Sequence, residues 1–143
     1  MFLNISKIIA FTLLILTTSC KDEFRGSNIP SVPVNLFISL QDPEFIDLTT
    51  PTGWVYVTGG SRGIIIYRVN QDEFKAYDRH CTFDPTSSCG IIDMDVSNVT
   101  LSDACCGSIF SVFSGIPNQG PAVQRLREYT TTFDGNSLSV FNQ

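Results

Sequence analysis

Histidine is almost absent: His80 is the only one among 143 residues. A site that needs two imidazoles is excluded by counting, and nucleophilic catalysis of the His–Ser or His–Cys kind has no visible base. Basic residues are scarce too, nine lysines and arginines against fourteen acids, and they form no cluster. That excludes the electrostatic footprint of a nucleic-acid binder or of a protein held on anionic headgroups. No stretch sustains helical periodicity, and there is no internal repeat or low-complexity segment. The apolar run near the start is shorter than the roughly 20 residues that cross a bilayer.

What is present begins with a leader. Lys7 supplies a positive charge, Ile8 to Leu16 is a short apolar run, and Thr17-Thr18-Ser19 are small residues leading into Cys20. That order reads as a secretory signal over residues 1–19, and its end resembles a lipobox, which makes Cys20 the expected lipidation site. Lys21-Asp22-Glu23 resembles the lysine-plus-acids leader that sends some exported lipoproteins of the Bacteroidetes to the outer surface. The chain is expected to be exported and held on the outer membrane through its lipid, with the periplasmic and the surface face both open to it. Removing 19 of 143 residues leaves 143 − 19 = 124, one ordinary domain. Its fourteen acids then face eight bases, a charge of −6. Residues 20–31, with Gly26, Ser27, Asn28 and Pro30, read as a lipidated tether, and residues 32–143 as the domain.

Short strand patterns separated by turn residues fill that domain. Val32–Leu40, Trp54–Val57, Gly63–Val69 and Phe74–Asp78 read as strands, as do Ile91–Val96 and Ile109–Phe113. Arg125–Tyr129, Thr130–Phe133 and Ser137–Phe141 complete the set, the last two joined by the turn Asp134-Gly135-Asn136. Residues 41–53 hold Asp42-Pro43 and Pro51-Thr52-Gly53 and read as a loop. The fold class expected is all-β, a small antiparallel sandwich or barrel.

From residue 55 to the end, the order of landmarks resembles the Rieske domain. The hairpin GIIIYRVNQDEFKAYDRHC leads to Cys81-Thr82-Phe83, where the family's first cluster loop has Cys-x-His. Cys105-Cys106-Gly107-Ser108-Ile109-Phe110 resembles the second loop, and Phe113-Ser114-Gly115 with Gly120-Pro121-Ala122 resembles the segment that shields the site. The resemblance implies a cluster-binding-type subdomain whose four ligands fall at 81, 83, 103 and 106. This chain supplies Cys81, Phe83, Asp103 and Cys106 there. A Rieske [2Fe–2S] cluster takes two cysteines and two histidines, so the site is degenerate and the cluster is not expected. Ser108 matches the serine that bonds a bridging sulfide; without sulfide it reads as a turn hydroxyl.

Cys81, Cys89, Cys105 and Cys106 are the remaining chemistry. An even number in an oxidising compartment points to disulfides, with three pairings open. The resemblance implies a loop-to-loop bond from Cys105, with Cys89 able to serve as its partner, and leaves Cys81 and Cys106 to pair across the emptied site. The competing reading is a four-cysteine centre for zinc or iron–sulfur, against which adjacent Cys105 and Cys106 should point apart. Asp103 could add an oxygen ligand to such a centre but reads as a solvated loop residue, and His80 reads as a surface or loop residue. The run Thr58–Gly63 echoes a dinucleotide loop only faintly, because a strand and not a helix follows it. The reading this favours is a lipid-anchored envelope protein whose degenerate domain binds a partner or ligand and holds no cofactor. The alternative is a metal-binding electron-transfer module associated with an oxidoreductase. No residue set argues for an enzyme.

Overall fold

A strand with three consecutive isoleucines has no polar face to offer solvent, so it must be covered on both sides. In the computed structural model, which describes residues 29–142, the segment Ile64–Arg68 is such a strand, with every residue buried. It is β3, after β1 (Asn35–Ser39) and β2 (Trp54–Val57). β4 (Phe74–Asp78), β9 (Glu128–Phe133) and β10 (Ser137–Phe141) join them in a six-stranded sheet of order β1-β10-β9-β4-β3-β2. Every pairing in it is antiparallel.

Between β4 and β9 the chain builds a second sheet. It consists of β5 (Ile92–Met94), β6 (Thr100–Asp103), β7 (Ile109–Ser111) and β8 (Pro117–Gln119), in that order and antiparallel. Ile64 and Ile66 of β3 face one core with Leu48, Phe74, Leu138 and Val140. Ile65 and Tyr67 face the other, with Tyr77 of β4 and with Ile92, Leu101 and Phe110 from the smaller sheet. Alternation along one strand thus sets two cores back to back. The all-β architecture expected from the strand pattern is observed.

Several boundaries differ from the pattern-based reading. The loop over 41–53 contains a 3-10 helix, Pro43–Thr49, started by Asp42, whose carboxylate accepts from Glu44 N at 3.0 Å. The strands expected over 125–129 and 130–133 merge into one, β9, which begins only at Glu128, so residues 125–127 lie outside it. β6 and β8 were not expected. In β6, Leu101 and Asp103 point inward and Thr100 and Ser102 outward, so the inward aspartate breaks the hydrophobic alternation that marks a strand. The signal segment 1–19 and Cys20 lie outside the described residues. At the end of the expected tether, Arg127 holds the carbonyls of Ile29 and Pro30 at 2.6 and 2.7 Å, and Ile29 is buried.

The Thr58–Gly63 loop binds an anion of the chain's own. Ser61 N and Arg62 N donate to the Asp78 carboxylate at 2.7 and 3.3 Å, joined by His80 N at 2.9 Å and the Tyr129 hydroxyl at 2.7 Å. Gly60, at φ +60°, passes so close that a Cβ there would stand 2.5 Å from both Asp78 Oδ2 and Tyr129 Oη. These amides are committed to Asp78, which leaves them nothing for a phosphate.

Tyr77 and Tyr129 are held neutral by this packing. Burial pushes both phenols above their ordinary value of 10.0, and the bond to the Asp78 carboxylate adds to the effect at Tyr129. A group whose folded pKa is raised contributes stability that is complete below its unfolded pKa and is lost as pH rises through the folded value. The midpoint of urea unfolding should hold steady up to about pH 10 and fall beyond it. Circular dichroism across an alkaline series, followed beside tyrosinate absorbance, checks this; a midpoint unchanged as the phenols ionise contradicts it.

Candidate functional site

β4 ends at Asp78, and the bonds that Asp78 makes set the course of Arg79-His80-Cys81 into the first loop. Cys81 follows, 1% exposed, as part of the second core. β6 delivers Asp103 from the opposite side, and a tight turn carries Cys106 back over it. Gly107 makes that turn with φ +78°, a conformation that glycine adopts freely, and its N–H donates to Asp103 O at 2.8 Å.

Three side chains converge. Cys81 Sγ and Cys106 Sγ are 3.7 Å apart, and Cys106 Sγ lies 3.2 Å from Asp103 Oδ2. The two sulfurs and a carboxylate oxygen of Asp103 all fall within 4.8 Å of one another. These are three of the four positions at which the family's ligands were expected. The fourth, Phe83, is 51% exposed and lines a cavity of about 180 Å³ with Ser87, Gly90, Asp103, Cys105 and Cys106. Its ring offers no lone pair.

Asp103 is not the solvated loop residue the sequence suggested. It is 2% exposed, its Oδ1 accepts from Cys105 N at 2.7 Å, and its Oδ2 accepts from the Cys106 thiol. Ser108 is likewise more than a turn hydroxyl. Fully buried, its oxygen accepts from Ala122 N at 2.9 Å, which leaves its O–H to donate to Cys106 Sγ at 3.0 Å. Burial raises the Cys81 thiol from its ordinary 9.0 to about 12, helped by its bond to Asp103. The pair is therefore protonated at neutral pH at the Cys81 end, and a metal ion would have to displace that proton.

His80 is also buried, at 3% exposure, and not a surface residue. Its Nε2 is 2.8 Å from Pro85 O, which can only accept, so Nε2 carries the proton. Nδ1 then accepts from the Ser61 hydroxyl at 2.8 Å. Both ring nitrogens are spent on holding the loop, and the imidazole is unavailable as a ligand.

The other two cysteines form a bond: Cys89 and Cys105 are joined, with Cα atoms 5.7 Å apart. Closing a loop of 16 residues in the unfolded chain contributes about 3 kcal/mol. A four-cysteine centre is thereby excluded, because Cys105 and its neighbour Cys106 point to different partners. The expectation of two disulfides is also not met as the structure stands. Cys81 and Cys106 are free thiols, with Cys106 held by Asp103 and Ser108. The residues do not fit a histidine-ligated [2Fe–2S] cluster either: one ligand position is a phenyl ring, another is a thiol in place of imidazole, and the lone histidine is committed elsewhere.

No protein-family model and no curated protein matches the chain. Among solved structures, the ferredoxin of carbazole 1,9a-dioxygenase from Nocardioides aromaticivorans IC177 aligns with TM-score 0.52 and 18% identity. The alignment covers 79% of this chain and 100% of that one. The small subunit of an NADPH nitrite reductase aligns with TM-score 0.47 and 14% identity over 76% of this chain and 99% of that one. A complex of reduced oxygenase and oxidized ferredoxin in carbazole 1,9a-dioxygenase gives TM-score 0.48 and 18% identity over 80% and 94%. The fold is that of the Rieske-type ferredoxins.

Proposed function

We propose that this chain is a metal-binding electron-transfer module in which Cys81, Asp103 and Cys106 hold one soft metal ion where relatives hold a cluster. The observation that carries the reading is the meeting of two sulfurs and a carboxylate oxygen within 4.8 Å at the family's ligand positions. For metal–sulfur bonds of about 2.3 Å, the sulfur-to-sulfur edge of a tetrahedral site is about 3.8 Å; the thiols here are 3.7 Å apart. Three protein ligands leave a fourth position for water, toward the cavity beside Phe83. Thiolate softness selects iron or zinc over magnesium or calcium, and iron would supply the one-electron chemistry that the likeness to a ferredoxin suggests. Its partner would be an oxidoreductase. The leader and Cys20 support a further part of the proposal, that the module works at the cell envelope, exported and anchored by lipid.

The test is metal titration of the reduced, chelator-treated full chain with cobalt(II) and then zinc. One cobalt per chain, with a sulfur-to-cobalt charge-transfer band that zinc abolishes, is the expected result. A folded protein that shows no such band overturns the reading and favours a metal-free binding module in its place.

A further inference from the structure

The two free thiols differ in a way that metal binding does not require. Cys106 is half-buried and faces the cavity of about 180 Å³; Cys81 is 1% exposed, absent from the cavity wall, and directly behind it. Their sulfurs, 3.7 Å apart, must close by less than 2 Å to reach the bonded distance of about 2.05 Å. One thiol is thus presented to the outside and a second is poised to reach it. Cys89 and Cys105, already joined, are not competitors for either.

We propose that Cys106 and Cys81 are a thiol–disulfide exchange pair, in which Cys106 attacks a small aliphatic disulfide entering the cavity and Cys81 resolves the adduct. The Cys106 proton passes to Asp103 Oδ2, its acceptor at 3.2 Å, and on to solvent. The Ser108 hydroxyl, 3.0 Å away, donates to the sulfur left behind. Cys106 Sγ bonds to one sulfur of the incoming disulfide, whose S–S bond breaks; the departing thiolate takes a proton from solvent. Cys81 then gives its proton, by way of its hydrogen-bond partner Asp103, to the departing sulfur and attacks Cys106 Sγ. The bond between residues 81 and 106 forms, the mixed disulfide breaks, and the second thiol leaves with a proton. The chain gives up two electrons and two protons, and the disulfide becomes two thiols. The exchange does not depend on the metal reading, although oxidation would remove both thiolate ligands at once.

The experiment uses the full chain carrying Cys20→Ser, so that its thiol is not counted, freed of metal and reduced until two thiols titrate with the bond between 89 and 105 intact. It is exposed to 2-hydroxyethyl disulfide, quenched in acid, alkylated and mapped by mass. The expected result is joint loss of both thiols and a peptide linking 81 to 106. Cys81→Ser should trap one 2-mercaptoethanol adduct on Cys106, and Cys106→Ser should react at least about tenfold more slowly. The proposal is overturned if the wild-type chain stops at an adduct on Cys106, if Cys81 is modified first, or if the new bond involves Cys89 or Cys105. Cobalt binding measured on the same reduced preparation reports separately on the metal reading, so either can fail alone.

Discussion

Replacing Asp78 by alanine is expected to destabilise the fold by about 3–5 kcal/mol, the range for removing one partner from a buried charged network. The carboxylate is fully buried and accepts from three backbone amides and the Tyr129 hydroxyl. No cation pairs with it among the described residues, so its charge is held by donors alone. Truncation strands those four donors in a space too crowded for them to find water, since even a Cβ at Gly60 would collide there. Asp78→Asn should cost nearly as much, because the carboxamide replaces one accepting oxygen with an amide nitrogen that faces donors. Urea unfolding that shows a lowered midpoint at unchanged slope checks this; a loss below about 1 kcal/mol would mean that the network is not buried as described. The effect should extend to the site, because the same carboxylate fixes the backbone of His80 that leads into Cys81.

The second large effect concerns the ligands. Structural zinc sites bind with apparent energies of about 10–16 kcal/mol over four ligands, or about 3 kcal/mol each. Cys106→Ala should therefore weaken cobalt and zinc binding by about 100-fold or more. Cys106 is half-buried at the rim, so the fold should survive its loss, which separates a lost ligand from a lost structure. Joint replacement of Cys89 and Cys105 by serine should cost about 3 kcal/mol of stability yet leave metal affinity nearly unchanged. Isothermal titration on the three proteins reads the affinities, and urea unfolding reads the stability. Equal affinity in wild type and Cys106→Ala would remove Cys106 from the site.

How much of this was legible beforehand varied by residue. The isoleucines of β3 and the Asp134-Gly135-Asn136 turn announced themselves, because their evidence is local: alternation, β-branching and a residue tolerant of positive φ. The Asp42-Pro43-Glu44 start of the 3-10 helix carries a capping signal that, by itself, is equally turn chemistry. β8, Pro117–Gln119, has too few apolar residues to stand out and owes its conformation to pairing with β7. The burial of Asp103 and His80 is invisible in the sequence for a related reason. A polar side chain in a loop is exposed by default, and only the folded course of the chain, which aims Cys105 N and Cys106 at Asp103 and Ser61 and Pro85 at His80, makes its burial tolerable.

The order of residues alone determined that the domain is built of short antiparallel strands and that no two-imidazole centre can form, since periodicity and counting need no coordinates. Tertiary structure alone decided which sulfur meets which. Adjacent cysteines can turn to either side, and the choice is made by the Gly107 turn, the buried Asp103 carboxylate and the loop that brings Cys89 within reach of Cys105. The turn and the carboxylate act locally, but the meetings of Cys89 with Cys105 and of Cys81 with Cys106 join segments 16 and 25 residues apart, at distances that a sequence does not contain.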